Sequence, residues 1–277
     1  MTLVDSSRSI RLPSGVAEPR RLLTVIRYPA QGPRSGVDLA GAPPVHSVER
    51  FPLIVFGHGF AVTPKPYAPL LRAWARAGYV VAAPSFPLEN ANAPGGPNES
   101  DLVNQPDDMS FVITRLLSAS GDRRGFLARL IDPQQVGVAG QSDGGETALA
   151  VAYDIHFRDR RIRAAAILSG AKIPGVGGFD FPAPSPPLLA TQGTADTVNP
   201  PAFTHAFFDI APAPKYLLAL FGAPHLGPYT NEQPQLGIVE RVTIEFFDRY
   251  VKDEPGALRR MVGAADVPGV SAMQADP

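Results

Sequence analysis

Val136-Gly137-Val138-Ala139-Gly140-Gln141-Ser142-Asp143-Gly144-Gly145 is the stretch that decides the fold. A short apolar run, Val136 to Ala139, ends at a glycine and passes abruptly into a helical pattern from about Asp143 to Tyr153. Between them Gly140 to Gly144 fits G-x-S-x-G, a sharp strand-to-helix turn with a serine at its apex. The glycines beside that serine have a physical job. A turn this tight needs neighbours without a Cβ, and a backbone folded so closely leaves the serine Oγ exposed above the sheet edge. The plainer reading of the same residues is a glycine-rich turn capped by Ser142.

On either side of this unit, short β-rich runs alternate with helical patterns, which predicts a mostly parallel sheet with helices on both faces. Strands are expected at about Leu22–Tyr28, Leu53–Phe56, Tyr79–Ala83, Ile162–Leu168, Pro187–Thr191 and Tyr216–Phe221. Helices are expected at about Tyr67–Ala77, Met109–Leu117, Ala202–Asp209 and Leu236–Tyr250. Leu70, Leu71 and Trp74 share one helical face, and Gly78 ends that helix. Pro84 to Gln105 is rich in Pro, Gly and Asn without periodicity, and a loop that long is usually functional or disordered. The 277 residues are expected to form one domain with its core over about 22–250 and a surface-wrapping or loose tail over 251–277.

Composition narrows the function. With 25 basic and 26 acidic side chains, the chain has no field for collecting phosphates, so nucleic acid is not an expected partner. The Arg158, Arg160, Arg161 and Arg163 cluster reads as a solvated loop before a strand. The lack of cysteine removes disulfides, thiolate metal sites and a cysteine nucleophile together. No run reaches the ~18 apolar residues of a membrane span, and the first thirty residues do not read as a leader. A soluble, cytoplasmic monomer is expected from the chain as written, and an exported chain trimmed of its leader would look the same.

A serine hydroxyl is a weak nucleophile at neutral pH and needs an imidazole base, itself held in the right tautomer by an acid. In a sheet of this kind both follow the serine, each at the C-terminal end of a later strand. Of five histidines, His46 and His58 precede Ser142, His156 follows it too closely, and His205 lies in an expected helix. His225 comes just after the run Tyr216–Phe221 and is the expected base. Asp196, in Gln192-Gly193-Thr194-Ala195-Asp196 directly beyond the strand Pro187–Thr191, is the expected acid, with turn capping as its alternative role. An oxyanion hole needs two backbone N–H groups, and those of Asp143 and Phe60 are the candidates. Asp143 is awkward there, since a carboxylate beside a forming oxyanion raises the barrier unless it points away. Its side chain is therefore expected to cap the helix that it opens. His58 is expected to hold the Phe60 loop by hydrogen bonds.

These residues resemble an α/β-hydrolase, and more narrowly the bacterial dienelactone hydrolase, platelet-activating-factor acetylhydrolase and chlorophyllase-like esterases, with polyester-cleaving cutinases as neighbours. The likeness spans about Leu22 to Tyr250 and rests on Gly57-His58-Gly59-Phe60, Val138 to Gly145, Gln192 to Asp196 and Ala223-Pro224-His225. It implies Ser142 as nucleophile, Asp196 as orienting acid, His225 as base, and the amides of Phe60 and Asp143 as the oxyanion hole. Gln141 and Asp143 depart from the pattern, where relatives more often carry His and an apolar residue. The opening Thr2 to Arg8 resembles the start of the mature part of exported members. Only Ser169–Pro186 is available for a cap, and it shows no helical pattern, so an open site is expected to admit small, bulky or polymeric esters. Tyr67 and Phe86 are the expected walls, with packing in the core as the alternative. The expected reaction is ester hydrolysis through an acyl-enzyme without metal or cofactor, rising with pH as the imidazole becomes neutral. Other chemistry on the same three residues (peptide cleavage, C–C hydrolysis, perhydrolysis) and a non-catalytic binding role are the alternatives.

Overall fold

The computed structural model describes residues 1–33, 35–171, 176 and 180–277. The centre is built around a strand whose every residue is apolar. In β3 (Phe51–Gly57), Leu53 and Val55 point to one face while Ile54 and Phe56 point to the other, and all four are fully buried. A strand covered on both faces must be apolar throughout, which is why Leu-Ile-Val-Phe reads as a run rather than an alternation. On the Leu53 side lie α2 (Gln105–Gly121), α3 (Asp143–Tyr153) and α4 (Pro201–Phe208), through Met109, Ile113, Leu149 and Phe208. On the Ile54 side lie α1 (Ala68–Arg76), α6 (Gln235–Tyr250) and α7 (Ala257–Ala265), through Leu71, Trp74, Phe247 and Met261. A proline in the first turn starts α1, and Gly78, at φ +93°, follows its end.

The remaining strands are β1 (Thr2–Arg11), β2 (Ala17–Arg27), β4 (Val80–Ser85), β5 (Ile131–Gln141), β6 (Ile162–Leu168), β7 (Leu188–Gly193), β8 (Lys215–Leu220) and β9 (Ser271–Asp276). Among the described residues they form one sheet in the order β1-β2-β4-β3-β5-β6-β7-β8-β9, parallel from β4 to β8 and antiparallel at both edges. The chain order reverses beside β3, and the turns that follow β3, β5, β7 and β8 all leave from the same rim. A short helix, α5 (Gly227–Thr230), follows the last of these turns.

One expectation changes, and two segments gain a structure that the pattern left open. The tail is not loose at its end, because β9 pairs with β8 from Leu220↔Ser271 to Lys215↔Asp276. Its polar sequence hides a strand whose backbone closes the sheet edge. β1 is likewise a strand that the pattern Asp5-Ser6-Ser7-Arg8 conceals. Finally, Pro84–Gln105 is anchored to the body at both ends, by buried Phe86, Glu89 and Asn90 at one and by an ion pair on buried Asp101 at the other. Buried Arg20 on β2 makes a two-bond clamp on Asp101, at 2.8 and 2.7 Å, and a second on Asp108, at 2.7 and 2.6 Å. Each fork matches a planar guanidinium to a planar carboxylate. The arginine cluster near β6 is occupied by neighbours, with Arg161 on Asp159 at 2.5 Å and Arg163 on Asp253 at 3.0 Å. The expectation that no helical cap follows β6 falls partly on 172–175 and 177–179, outside the described residues, and the described part of Ser169–Pro186 holds no helix.

Arg20→Ala should lower the unfolding free energy by about 3–5 kcal/mol, because it strands buried Asp101 without a cation and leaves buried Asp108 with Arg8 alone, 2.8 Å away. Urea unfolding of the two proteins checks this, and a loss below about 1 kcal/mol contradicts the structural role given to the clamp.

Candidate active site

Ser142 sits between β5 and α3 at φ 57° and ψ −124°, a left-handed conformation that only a tightly braced non-glycine residue keeps. The bracing is backbone against backbone. A Cβ on Gly140 would lie 1.8 Å from the Gly144 carbonyl oxygen, and one on Gly144 would lie 2.2 Å from the Gly57 oxygen. The turn therefore packs directly on the end of β3, and only glycine allows that approach. Ser142 N–H is held by the Leu168 carbonyl of β6 at 3.0 Å.

Asp196 lies just beyond β7 and is 3% exposed. Its Oδ1 accepts the N–H groups of Val198 and Asn199, both at 2.9 Å, and its Oδ2 faces His225 Nδ1 at 2.7 Å. The acid and histidine loops are stitched together: Ala195 N–H donates to Ala223 O at 3.1 Å, and Gly222 N–H donates to Thr194 Oγ1 at 2.8 Å. A Cβ on Gly193 would lie 2.4 Å from Ala223 O, so this contact too depends on a missing side chain. The other candidate histidines fall elsewhere, His205 pairing with Asp209 on the surface and His156 in the turn after α3.

The third contact differs from expectation. Among the described residues Ser142 Oγ has no hydrogen-bond partner, and His225 Nε2 instead faces Gln141 Nε2 at 3.2 Å. Sequence therefore brings the acid and the imidazole into a hydrogen bond and carries the serine to the adjoining residue. Hydrogen bonds between such groups are often long before substrate binds. Ser142 keeps 7% of its surface, less than an uncapped site suggested, because Gly59 and Gln141 pack beside it.

Phe60 follows β3 with its side chain 42% exposed, and its backbone N–H has no partner among the described residues. Asp143 opens α3, where the first N–H groups lack intrahelical acceptors. Both donors are thus free for an anion. His58 holds the loop between them as expected. Phe86 N–H donates to its Nε2 at 3.0 Å, which leaves the proton on Nδ1 to donate to Gly59 O at 2.8 Å. Full burial pushes this imidazole down to about 4, so it stays neutral through the physiological range.

Tyr67 and Phe86 are not walls. Both are fully buried, Phe86 against the His58 ring at 4.9 Å and Tyr67 against Phe56 at 4.9 Å, because each is the wedge that fixes its loop. The expected cap by Asp143 is also not made. Its carboxyl instead faces Glu89, a fully buried residue that sequence reasoning passed over. Two carboxylates cannot hydrogen-bond each other, and neither Glu89 oxygen nor Asp143 Oδ2 has another partner among the described residues. A proton kept on Glu89 supplies the donor. Burial first, and the facing Asp143 second, push the Glu89 carboxyl up to about 11. The only signal in the sequence was an acid inside the Phe-Pro-Leu-Glu-Asn loop, which nothing local distinguishes from a solvated one.

A strained serine between strand and helix, a buried aspartate gripping an imidazole, and a parallel sheet with antiparallel edges define an α/β-hydrolase-type fold. The chain belongs to the chlorophyllase family, an ester-cleaving family of that type, whose model matches residues 39–192. The match includes Phe60 and Ser142 and stops before Asp196 and His225. No curated protein is significantly similar to the chain. Among the described residues no helix is long and apolar enough to cross a membrane.

Glu89 carries a stability signature. Its folded carboxyl keeps the proton that the unfolded chain releases above the ordinary value of 4.5, so its contribution is full below that pH and is lost as pH rises toward about 11. Glu89→Gln, neutral in both states, should be more stable than the parent at pH 8 and lose that advantage near pH 4. Urea midpoints at the two pH values test this. An advantage independent of pH would show that Glu89 is not protonated.

Proposed function

We propose that the chain is a serine carboxylic ester hydrolase acting through Ser142, His225 and Asp196. The observation that carries this reading is the 2.7 Å contact from His225 Nδ1 to a buried, otherwise satisfied Asp196. That bond keeps the proton on Nδ1 and leaves Nε2 with a lone pair, the tautomer that a general base requires.

In the proposed reaction Ser142 Oγ attacks the ester carbonyl while its proton passes to His225 Nε2. The carbonyl electron pair moves onto oxygen, where the N–H groups of Phe60 and Asp143 stabilise it. As the tetrahedral intermediate collapses, the C–O bond breaks and the Nε2 proton goes to the departing alcohol oxygen. Water, deprotonated by the same imidazole, then releases the acid and restores Ser142. Asp143 is compatible with this because its carboxyl is held by a hydrogen bond from protonated Glu89. The substrate class is small to bulky carboxylic esters, polyesters among the candidates, and the half-exposed Phe60 ring beside the proposed oxyanion donor offers an apolar surface for such groups.

A fluorophosphonate probe should label the parent protein and fail to label Ser142→Ala. Absence of labelling on folded parent protein would favour a binding role without turnover. Asp196→Asn should lower kcat by about 10⁴-fold with folding retained, as loss of the orienting acid does in other triads. Near-normal turnover in that variant would exclude Asp196 as the acid. Initial rates on short, medium and long p-nitrophenyl esters beside a polyester film define the acyl range.

A further inference from the structure

Gln141 stands directly before the proposed nucleophile, is 1% exposed, and makes a set of contacts that packing alone does not require. Its amide orientation is fixed by its partners. The His225 carbonyl can only accept, so the group 3.1 Å from it is the Nε2 donor. Oε1 then faces Tyr67 Oη at 2.7 Å and accepts its proton, while Tyr67 Oη accepts the Gly59 N–H at 3.3 Å. The second Nε2 proton of Gln141 is directed at His225 Nε2, 3.2 Å away. Since Nδ1 donates to Asp196, Nε2 carries the lone pair that receives it.

That lone pair is the one into which Ser142 must release its proton. In the resting arrangement Gln141 holds it and Ser142 Oγ has no partner among the described residues. We propose that Gln141 is a positioning residue: it holds the imidazole of His225 by its Nε2 atom in the resting enzyme, and yields that atom to Ser142 when a substrate acyl group engages. This rests on the ester hydrolase reading above.

Two consequences follow from donor and acceptor counting. Once Nε2 carries the serine proton, it faces an N–H of Gln141, and two donors repel. The imidazolium therefore gains nothing from Gln141, and its proton is directed onward to the leaving-group oxygen, which can accept it. Secondly, the hold on His225 is continuous with the oxyanion loop. Gly59 N–H, Tyr67 Oη, Gln141 Oε1 and Nε2, and His225 form one chain of hydrogen bonds. A Cβ on Gly59 would lie 2.9 Å from Gln141 Oε1, so the loop has to be glycine there for the chain to close. Gln141 gives up no proton in this scheme, and the reaction balances as already written.

The test uses three variants of the full chain. Gln141→Glu keeps the size but offers His225 an acceptor in place of a donor, Gln141→Leu offers neither, and Tyr67→Phe removes the anchor of the amide together with the acceptor of the Gly59 N–H. Both Gln141 variants should lose about 10- to 100-fold in kcat, the range expected for a misaligned base, with KM within about threefold. Tyr67→Phe should cost less, and its effect on the His225 ring should vanish in the Gln141→Leu background, because Tyr67 reaches His225 only through Gln141 and reaches the oxyanion loop separately through Gly59. In ¹⁵N spectra the Nε2 resonance of His225 should move downfield in Gln141→Leu as its lone pair is freed. An unmoved resonance, kcat within twofold of the parent in the Gln141 variants, or a further shift of that resonance when Tyr67→Phe is added to Gln141→Leu would overturn the proposal. The resonance reports the contact whether or not the protein turns over. Failure of the hydrolase reading itself would show separately, as fluorophosphonate labelling that survives Ser142→Ala.

Discussion

The site depends on backbone meeting backbone at the end of β3. Gly57, Gly140 and Gly144 bring a strand, a second strand and a helix start within distances that no Cβ tolerates, the shortest being 1.8 Å. Ser142 keeps a positive φ because the chain on either side has nowhere else to go. Strain of this kind is held by surrounding contacts rather than relaxed, and here the contacts are apolar strands buried on both faces. The same device recurs where the acid and histidine loops touch, with Gly193 under the Ala223 carbonyl. Close backbone approach thus fixes the anchor points from which three side chains reach one rim.

Around those anchors, polar side chains are matched in donor and acceptor count. Asp196 receives three hydrogen bonds within 3.0 Å, from two backbone amides and the His225 ring. Arg20 grips two carboxylates at the other end of the segment that braces the site, with Arg8 and Asn104 as their further partners. That segment also carries Glu89, whose backbone carbonyl accepts the Ala61 N–H at 3.0 Å beside the proposed oxyanion loop. Its neutral carboxyl answers the charge of Asp143. A single loop, clamped by Arg20, therefore supports the oxyanion side of the site and supplies a hydrogen-bond donor to the acid next to the proposed nucleophile.

Much of the fold was legible because its signals are local. Val136 to Gly145 carries an apolar strand, a glycine turn and a helix start in ten residues, and α3 runs from Asp143 to Tyr153 as its pattern predicts. The central strands read correctly because burial on both faces demands unbroken apolar runs. β1 and β9 were missed for the opposite reason: Asp5, Arg8 and Gln274 sit in edge strands held by backbone pairing and ion pairs, which leave little hydrophobic periodicity. Tyr67 and Phe86 were misplaced because an aromatic after a strand end reads alike whether it lines a site or wedges a loop.

Sequence by itself determined the sheet class and the strand-to-helix turn at Ser142, since each is written in neighbouring residues. It also placed Asp196 and His225 at strand ends, which sufficed for their 2.7 Å contact. Only the tertiary structure decided that Gln141 rather than Ser142 meets His225 Nε2, that Asp143 faces Glu89, and that Arg20 joins Asp101 to Asp108. Those partners are separated by 84, 54, and 81 and 88 positions in the chain. Contacts at such separations follow from how strands cross and helices pack, and the protonation of a buried group follows from the surroundings that this packing creates.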